Sequence, residues 1–265
     1  AQLKGLAALG CYGVAVPAEW DGAGLDYLAL AIILEEIAAG DGATSTVVSV
    51  NNCPVCSILM AYANEDQKQR FLQPFMRGEV RFPISMSEPG AGSDLASVRT
   101  KGRLEDGEWL VNGQKIWTSR AEHSDLMLLL ARTTPREHVS KRTDGLSVFL
   151  VDMKAAVGNG LTIRPIETMM NHSTTEVFFD QLAVPAANLI GEEGQGFKYI
   201  LSGMNAERLL IAAECIGDAK WFIEKASAYA KERVLFNRPI GQNQGVQFPI
   251  ARAYAQMRAA ELMVS

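Results

Sequence analysis

Histidine and cysteine are scarce in this chain of 265 residues, three of the first and four of the second. Thiols at Cys11, Cys53, Cys56 and Cys215 are too few and too scattered for the disulfide framework of a small secreted domain. Cys53 and Cys56 have the spacing of a redox pair, but no thioredoxin-like strand precedes them and an apolar helical pattern follows. His123, His138 and His172 do not complete a zinc site with them, so no metal is expected. Reduced, buried thiols fit a reducing compartment. A basic excess is missing too: Lys and Arg number 25 against 30 Asp and Glu, a net charge of -5. A nucleic-acid surface wants the opposite balance or a dense basic patch. No apolar run approaches the roughly 18 residues that cross a bilayer, and residues 1–20 lack the basic start and apolar core of a signal peptide.

What is present describes a globular chain. Hydrophobic residues make up 48% and charged residues 21%, which excludes a disordered polymer. The length allows one large domain or two to three smaller ones. The chain starts without Met and stops inside an apolar-periodic run, so it reads as a section of something longer.

Three regions differ in texture. Residues 1–80 carry helical patterns at Gln2–Leu9, Tyr27–Ala39, Cys53–Ala63 and Glu65–Met76, with Leu28, Ile32, Ile33 and Ile37 on one face of the second. From residue 81 to 190 the period becomes two. Strands are expected at Arg81–Met86, Val98–Leu104, Trp109–Ile116, Leu126–Arg132, Leu146–Val151, Leu161–Ile166 and Glu176–Phe179, with Asp106-Gly107 as a hairpin turn. Short strands with no long helices between them predict an antiparallel sandwich or barrel. Residues 191–265 return to helix, over Phe197–Tyr229 and from about Phe248 onward, with Pro249 in the first turn. The predicted fold class is α+β: a helical N-terminal domain, a central antiparallel β domain and a C-terminal helical bundle.

Four segments hold residues able to do chemistry. Ser85-Met86-Ser87-Glu88-Pro89-Gly90-Ala91-Gly92-Ser93-Asp94 leaves a strand through two glycines. Such a turn can aim backbone N–H groups at an anion, or be an ordinary loop. Trp117, Thr118 and Ser119 set an aromatic ring beside two hydroxyls, suited to flanking a planar cofactor or to closing a core. Glu207 shares a helix face with Ile211, and Gly203 adds no side chain beside it. That is a setting for a desolvated base, unless Arg208 or Arg252 neutralises it at the surface. Arg233 and Phe236 pair a cation with a ring, able to clasp a phosphate and an adenine or simply to end a helix. His172 reads as a loop histidine, and Met169, Met170 and Met204 as pocket or core methionines.

In that order these segments resemble the acyl-CoA dehydrogenase flavoprotein family over essentially the whole chain. Val14 to Leu25 is similar to its early glycine-rich stretch, with Asp21 in place of a glycine. Met86 to Asp94 is similar to its signature, Asn112 to Ser119 to its tryptophan segment, and Glu232 to Ile240 to a later arginine-phenylalanine segment with Asn237 in place of glycine. The resemblance implies FAD, with Met86, Ser87, Gly92, Ser93, Trp117 and Ser119 around the flavin and pyrophosphate. Arg233, Leu235, Phe236 and Gln244 would serve the FAD of a neighbouring subunit in a homotetramer or homodimer. Ser93, Asn205 and Arg208 would touch acyl-CoA. The isovaleryl-CoA and long-chain branches place their catalytic glutamate where Glu207 stands, so Glu207 is the expected base.

The implied reaction is α,β-dehydrogenation of a saturated acyl-CoA to the trans-2-enoyl-CoA, with electrons passed to an electron-transfer flavoprotein. Same-fold alternatives are an acyl-CoA oxidase, another flavin oxidase or monooxygenase, and a non-catalytic CoA- or flavin-binding protein. A bacterial cytoplasm, or else a mitochondrial matrix, is the expected location. Acyl chain length is left open.

Overall fold

The computed structural model describes residues 2–169 and 173–264, so His172 and Met170 lie outside the described residues. The first region is built of helices α1 (Gln2–Ala8), α2 (Tyr27–Val50), α3 (Ser57–Tyr62), α4 (Glu65–Gln67) and α5 (Gln73–Met76). Asp26 starts α2 by accepting from the Ala29 N–H at 2.8 Å. The helix runs well past Ala39, where the sequence pattern ends it. Asp41 breaks it with an extended backbone (φ −158°, ψ 99°), then caps the continuation through Ala43 N–H and the Thr44 hydroxyl. Asn64 and Gln67 cap α4 reciprocally, each side chain accepting from the other's backbone N–H. The expected helix over Cys53–Ala63 begins as a wide π-type turn, Asn51–Cys56, in which buried Asn52 binds Val14 N–H and the Cys11 and Val48 carbonyls.

The second region is a sheet. Its strands are β1 (Ile84–Ser85), β2 (Lys101–Glu105), β3 (Glu108–Ser119), β4 (Leu126–Arg132) and β5 (Leu146–Asp152). After the short helix α6 (Met153–Ala156) come β6 (Leu161–Ile166), β7 (Thr174–Pro185) and β8 (Leu189–Ile190). They run in the order β6-β7-β3-β2-β4-β5-β8, with β1 also on β4. Pairing is antiparallel except where β1 and β2 each meet β4, where it is parallel. Asp106 and Gly107 turn the β2–β3 hairpin with positive φ of 48° and 85°. β7 is three times longer than the pattern over Glu176–Phe179 suggests, because β3 offers it a partner along most of its length.

Strand β4 is buried on both faces, which is why its sequence is an apolar run without alternation. Leu128 and Leu130 face the helical region with Leu72, Phe75 and Phe82. Met127, Leu129 and Ala131 face a second core with Trp109, Phe149 and Val177. Each buried Leu, Met, Phe or Val side chain here contributes about 1.5–3 kcal/mol by leaving water. The sheet is thus welded to the helices, and its free ends carry the loops described below.

Helix α7 (Gly196–Glu232) is 37 residues long, about 55 Å. A hairpin of β9 (Val234–Leu235) and β10 (Arg238–Pro239) follows, turned by Phe236 and Asn237 at φ 54° and 62°. Asparagine is among the few side chains that tolerate that region, which accounts for Asn237 in the place of a glycine. Helix α8 (Gln244–Val264) begins before the expected Phe248, so Pro249 lies beyond its first turn. α7 enters against β5, where a Cβ on Gly196 would lie 2.7 Å from the Ser147 carbonyl carbon. It then packs along α2.

Candidate active site

Strand β1 and the far end of β3 converge on a platform. Lys115 is fully buried, yet its ammonium donates to the Met86 carbonyl at 2.7 Å and to Glu88 at 3.0 Å. Glu88 in turn accepts from the N–H groups of Arg99 and Thr100 at 2.7 and 2.8 Å. Burial pulls the Lys115 ammonium down to about 8, against the opposing pull of Glu88. Backbone donors and Lys115 hold the Glu88 carboxyl below its ordinary range despite burial. These two residues fix the loop after β1, and sequence reading assigned neither a role. The signal was available: Lys115 sits in an alternating strand beside positions that should be buried.

A bulge then interrupts the β3–β7 register between Lys115 and Thr118. It throws Trp117 out of the sheet with φ 63° and leaves its ring 60% exposed. A large non-glycine residue in that region is strained, and strain of this kind gathers at sites that bind. Trp117 is therefore not the core tryptophan that a blander reading allowed. Thr118 stays buried on the Ser85 hydroxyl at 2.9 Å, while Ser119 faces out. Ser87 accepts from Ile116 N–H at 3.0 Å, which sets Met86 and Ser87 alongside Trp117.

Gly92 and Ser93 are exposed on the same loop, and a Cβ on Gly92 would meet nothing within 4 Å. The neighbouring Asp94 is tied to Arg142 and to the Ser97 hydroxyl. Beside them opens a cavity of about 1190 Å³ lined by Arg99, Lys101, Arg103, Arg132 and Arg136, a setting for anionic groups.

Glu207 lies on the α7 face that meets α2 and is partly buried. Among the described residues it makes no ion pair, since Arg208 turns instead to Asn205 at 2.9 Å and both are exposed. The surface-pair reading of Glu207 therefore fails. Burial pushes its carboxyl up, and the nearby Glu214 adds to the rise. Cys53 lies alongside, donating from Sγ to the Gly203 carbonyl at 2.9 Å, with Tyr27 next to it. Met204 packs with Met86 and Leu95 against the larger core. Met169 is fully exposed and fills no core gap.

Arg233, Leu235, Phe236 and Gln244 stand apart from all of this. They are exposed at the far end of α7, about 40 Å along the axis from Glu207. Phe236 is 96% exposed. The chain does not bring this cluster to its own platform. All four cysteines are free, and no group of three metal-ligating side chains exists among the described residues.

A helical layer, a sheet that projects a strained tryptophan and a long helix carrying a partly buried carboxylate with no ion pair among the described residues define a class of protein. Three family models match in chain order: the N-terminal domain of acyl-CoA dehydrogenase over residues 1–79, its middle domain over 84–182 and its C-terminal domain over 194–265. The mitochondrial short-chain specific acyl-CoA dehydrogenase of Rattus norvegicus is 34% identical over 99% of the chain. The chain spans 63% of that protein's length. An acyl-CoA dehydrogenase of Bacillus subtilis is 32% identical, with 99% of this chain and 68% of that one covered. Among solved structures, that of PigA with FAD and proline superposes with a TM-score of 0.89 at 25% identity, over 99% of this chain and 68% of that one. The chain belongs to the acyl-CoA dehydrogenase family.

Proposed function

We propose that this protein is an FAD-dependent acyl-CoA dehydrogenase in which Glu207 removes the α-proton of a saturated acyl-CoA. The observation that carries this reading is the Glu207 carboxylate: partly buried, without an ion pair among the described residues, and pushed toward the range useful to a base. FAD fits the platform, because Trp117 offers an exposed ring and Met86, Ser87 and Ser119 offer polar atoms beside it. When bound, FAD supplies the acceptor for the β-hydride, and the product is a trans-2-enoyl-CoA. Trp117 covers the ring system. Gly92 and Ser93 face the pyrophosphate, with Ser93 also near the CoA. Asn205 and Arg208, on the exposed flank of α7, hold the CoA side of the thioester. Buried Cys53 and Gly203 shield one side of Glu207 from water, and a drier setting strengthens the carboxylate as a base.

Arg233, Leu235, Phe236 and Gln244 serve the FAD of a second copy of the chain, as their distance from the platform supports. An electron-transfer flavoprotein is the natural acceptor, in a bacterial cytoplasm or a mitochondrial matrix. No described helix is long and apolar enough to cross a membrane. The test is Glu207→Gln in the full-length protein, followed by anaerobic titration with acyl-CoAs. Flavin should remain bound while its reduction slows by about 10²–10⁴-fold. Reduction at the original rate would remove Glu207 from the role.

A further inference from the structure

Ser87 is held on both sides by consecutive residues of β3. The carbonyl before it, that of Met86, accepts from the Lys115 ammonium at 2.7 Å, and its own carbonyl accepts from Ile116 N–H at 3.0 Å. The Ser87 N–H has no hydrogen-bond partner among the described residues, since β1 stops at Ser85 and offers it no sheet neighbour. The Met86–Ser87 peptide is trans, so its carbonyl and its N–H point in opposite directions. The carbonyl meets a buried ammonium, and the N–H therefore points away from it. Ser87 is half-buried beside the exposed Trp117 ring, on the platform assigned above to FAD. A free backbone donor is thus fixed there, with a cation behind the same peptide.

A loop can be held without a buried charge. Taking a cation out of water is far harder than burying an amide, and here burial pulls the ammonium down to about 8. A neutral donor would satisfy the Met86 carbonyl equally well. It would not polarise the peptide as an ammonium does, and polarisation makes the N–H at the other end a stronger donor. Glu88 lies 3.0 Å from the ammonium and is shared with the N–H groups of Arg99 and Thr100. The charge in contact with the Met86 carbonyl is therefore the positive one.

We propose that Lys115 is a positioning residue for the flavin, which acts through the Met86–Ser87 peptide to strengthen the Ser87 N–H toward the acceptor edge of the ring and so raises the reduction potential of bound FAD. A hydride brings the ring two electrons and one proton, so the ring gains one negative charge. A fixed donor aimed at that charge favours the reduced form. This rests on the reading that the platform holds FAD, and it does not need Glu207.

The experiment is the two-electron midpoint potential of FAD in the full-length holoprotein, reduced anaerobically by xanthine and xanthine oxidase beside a reference dye. A charge within about 4–6 Å shifts an ionisation by about tenfold or more, and across one peptide the lower figure applies. Lys115→Met should therefore disfavour reduced against oxidised FAD about tenfold, a shift of about 30 mV to more negative potential for a two-electron couple. Lys115→Met with Glu88→Gln leaves no buried charge behind. It should shift the potential the same way, and it serves if the single variant does not fold. Where FAD is held too weakly to stay bound, the same tenfold is read as the ratio of dissociation constants for reduced and oxidised FAD. A residue that only shaped the loop would weaken both forms alike and leave the potential in place. An unmoved potential, or an unmoved ratio, would overturn the proposal. A wild-type protein that binds no FAD would overturn the FAD reading first and this inference with it. No acyl-CoA enters the measurement, so its outcome is separate from that of Glu207→Gln.

Discussion

Lys115 and Glu88 are a buried ion pair whose job is positional, since the pair holds the Met86 carbonyl and two backbone N–H groups around the loop after β1 that presents Ser87. Removing one partner strands the other in a dry setting. Lys115→Met should destabilise the fold by about 3–5 kcal/mol, read as a lower urea midpoint. Replacing both, as Lys115→Met with Glu88→Gln, should recover part of that loss, because the neutral amide needs no counter-charge. Glu207 behaves in the opposite sense. Its carboxyl is raised in the folded protein, so the fold binds a proton there more tightly than the unfolded chain does. That contribution is fully present below the ordinary value of 4.5 and is lost as pH rises through the raised folded value. Glu207→Gln should therefore raise Tm at neutral pH, with the gain fading in acid. In wild type, flavin reduction should climb with pH at a midpoint above 4.5. A flat profile across that window would contradict the assignment.

Helices α2 and α7 meet so closely at Gly217 that an added methyl would strike Ala38 and the Glu35 carbonyl. Gly217→Ala should cost about 1–3 kcal/mol through overpacking and should also disturb Glu214 three residues earlier. Gly5→Ala makes the contrast. It lies inside α1 with nothing within 4 Å of the new methyl, and it should stabilise by about 0.4–1 kcal/mol. Denaturant unfolding of the two variants separates packing from propensity. This is also the scale at which sequence reading had mixed success. Leu126–Arg132 and Leu161–Ile166 are strands as the pattern predicts, because their side chains report burial directly. Helix α2 is not ended by Gly40-Asp41-Gly42, since Asp41 caps a second segment that packing on α7 holds in line. The bulge that expels Trp117 is equally hidden from local pattern, for it depends on how β7 pairs with β3.

Across the whole molecule, the expected flavin residues fall into two groups at opposite ends of α7. Met86, Ser87, Trp117 and Ser119 gather on the sheet, while Arg233, Leu235 and Phe236 are exposed far from it. If a second copy brings the groups together, two defective subunits should complement. Glu207→Gln lacks the proposed base but keeps Arg233 and Phe236. A variant with Arg233→Ala and Phe236→Ala keeps Glu207 and should lose flavin. Co-expressed, the two should regain flavin reduction that neither shows alone, as measured by anaerobic bleaching. No recovery in a verified mixed oligomer would place the whole flavin site within one chain.

By itself the sequence determined the helix–sheet–helix order, the glycine-rich loop from Met86 to Asp94 and the family. These are written in local periodicity, turn chemistry and short contiguous motifs. Only the tertiary structure decided that Lys115 and Glu88 pair beneath that loop, that Trp117 is expelled rather than buried, and that Glu207 and Glu214 share one seam with Ser49 across from them. Each of these is a contact or a burial between segments far apart in the chain. Desolvation and pairing depend on what lies opposite a residue, and its own neighbours in sequence do not carry that information.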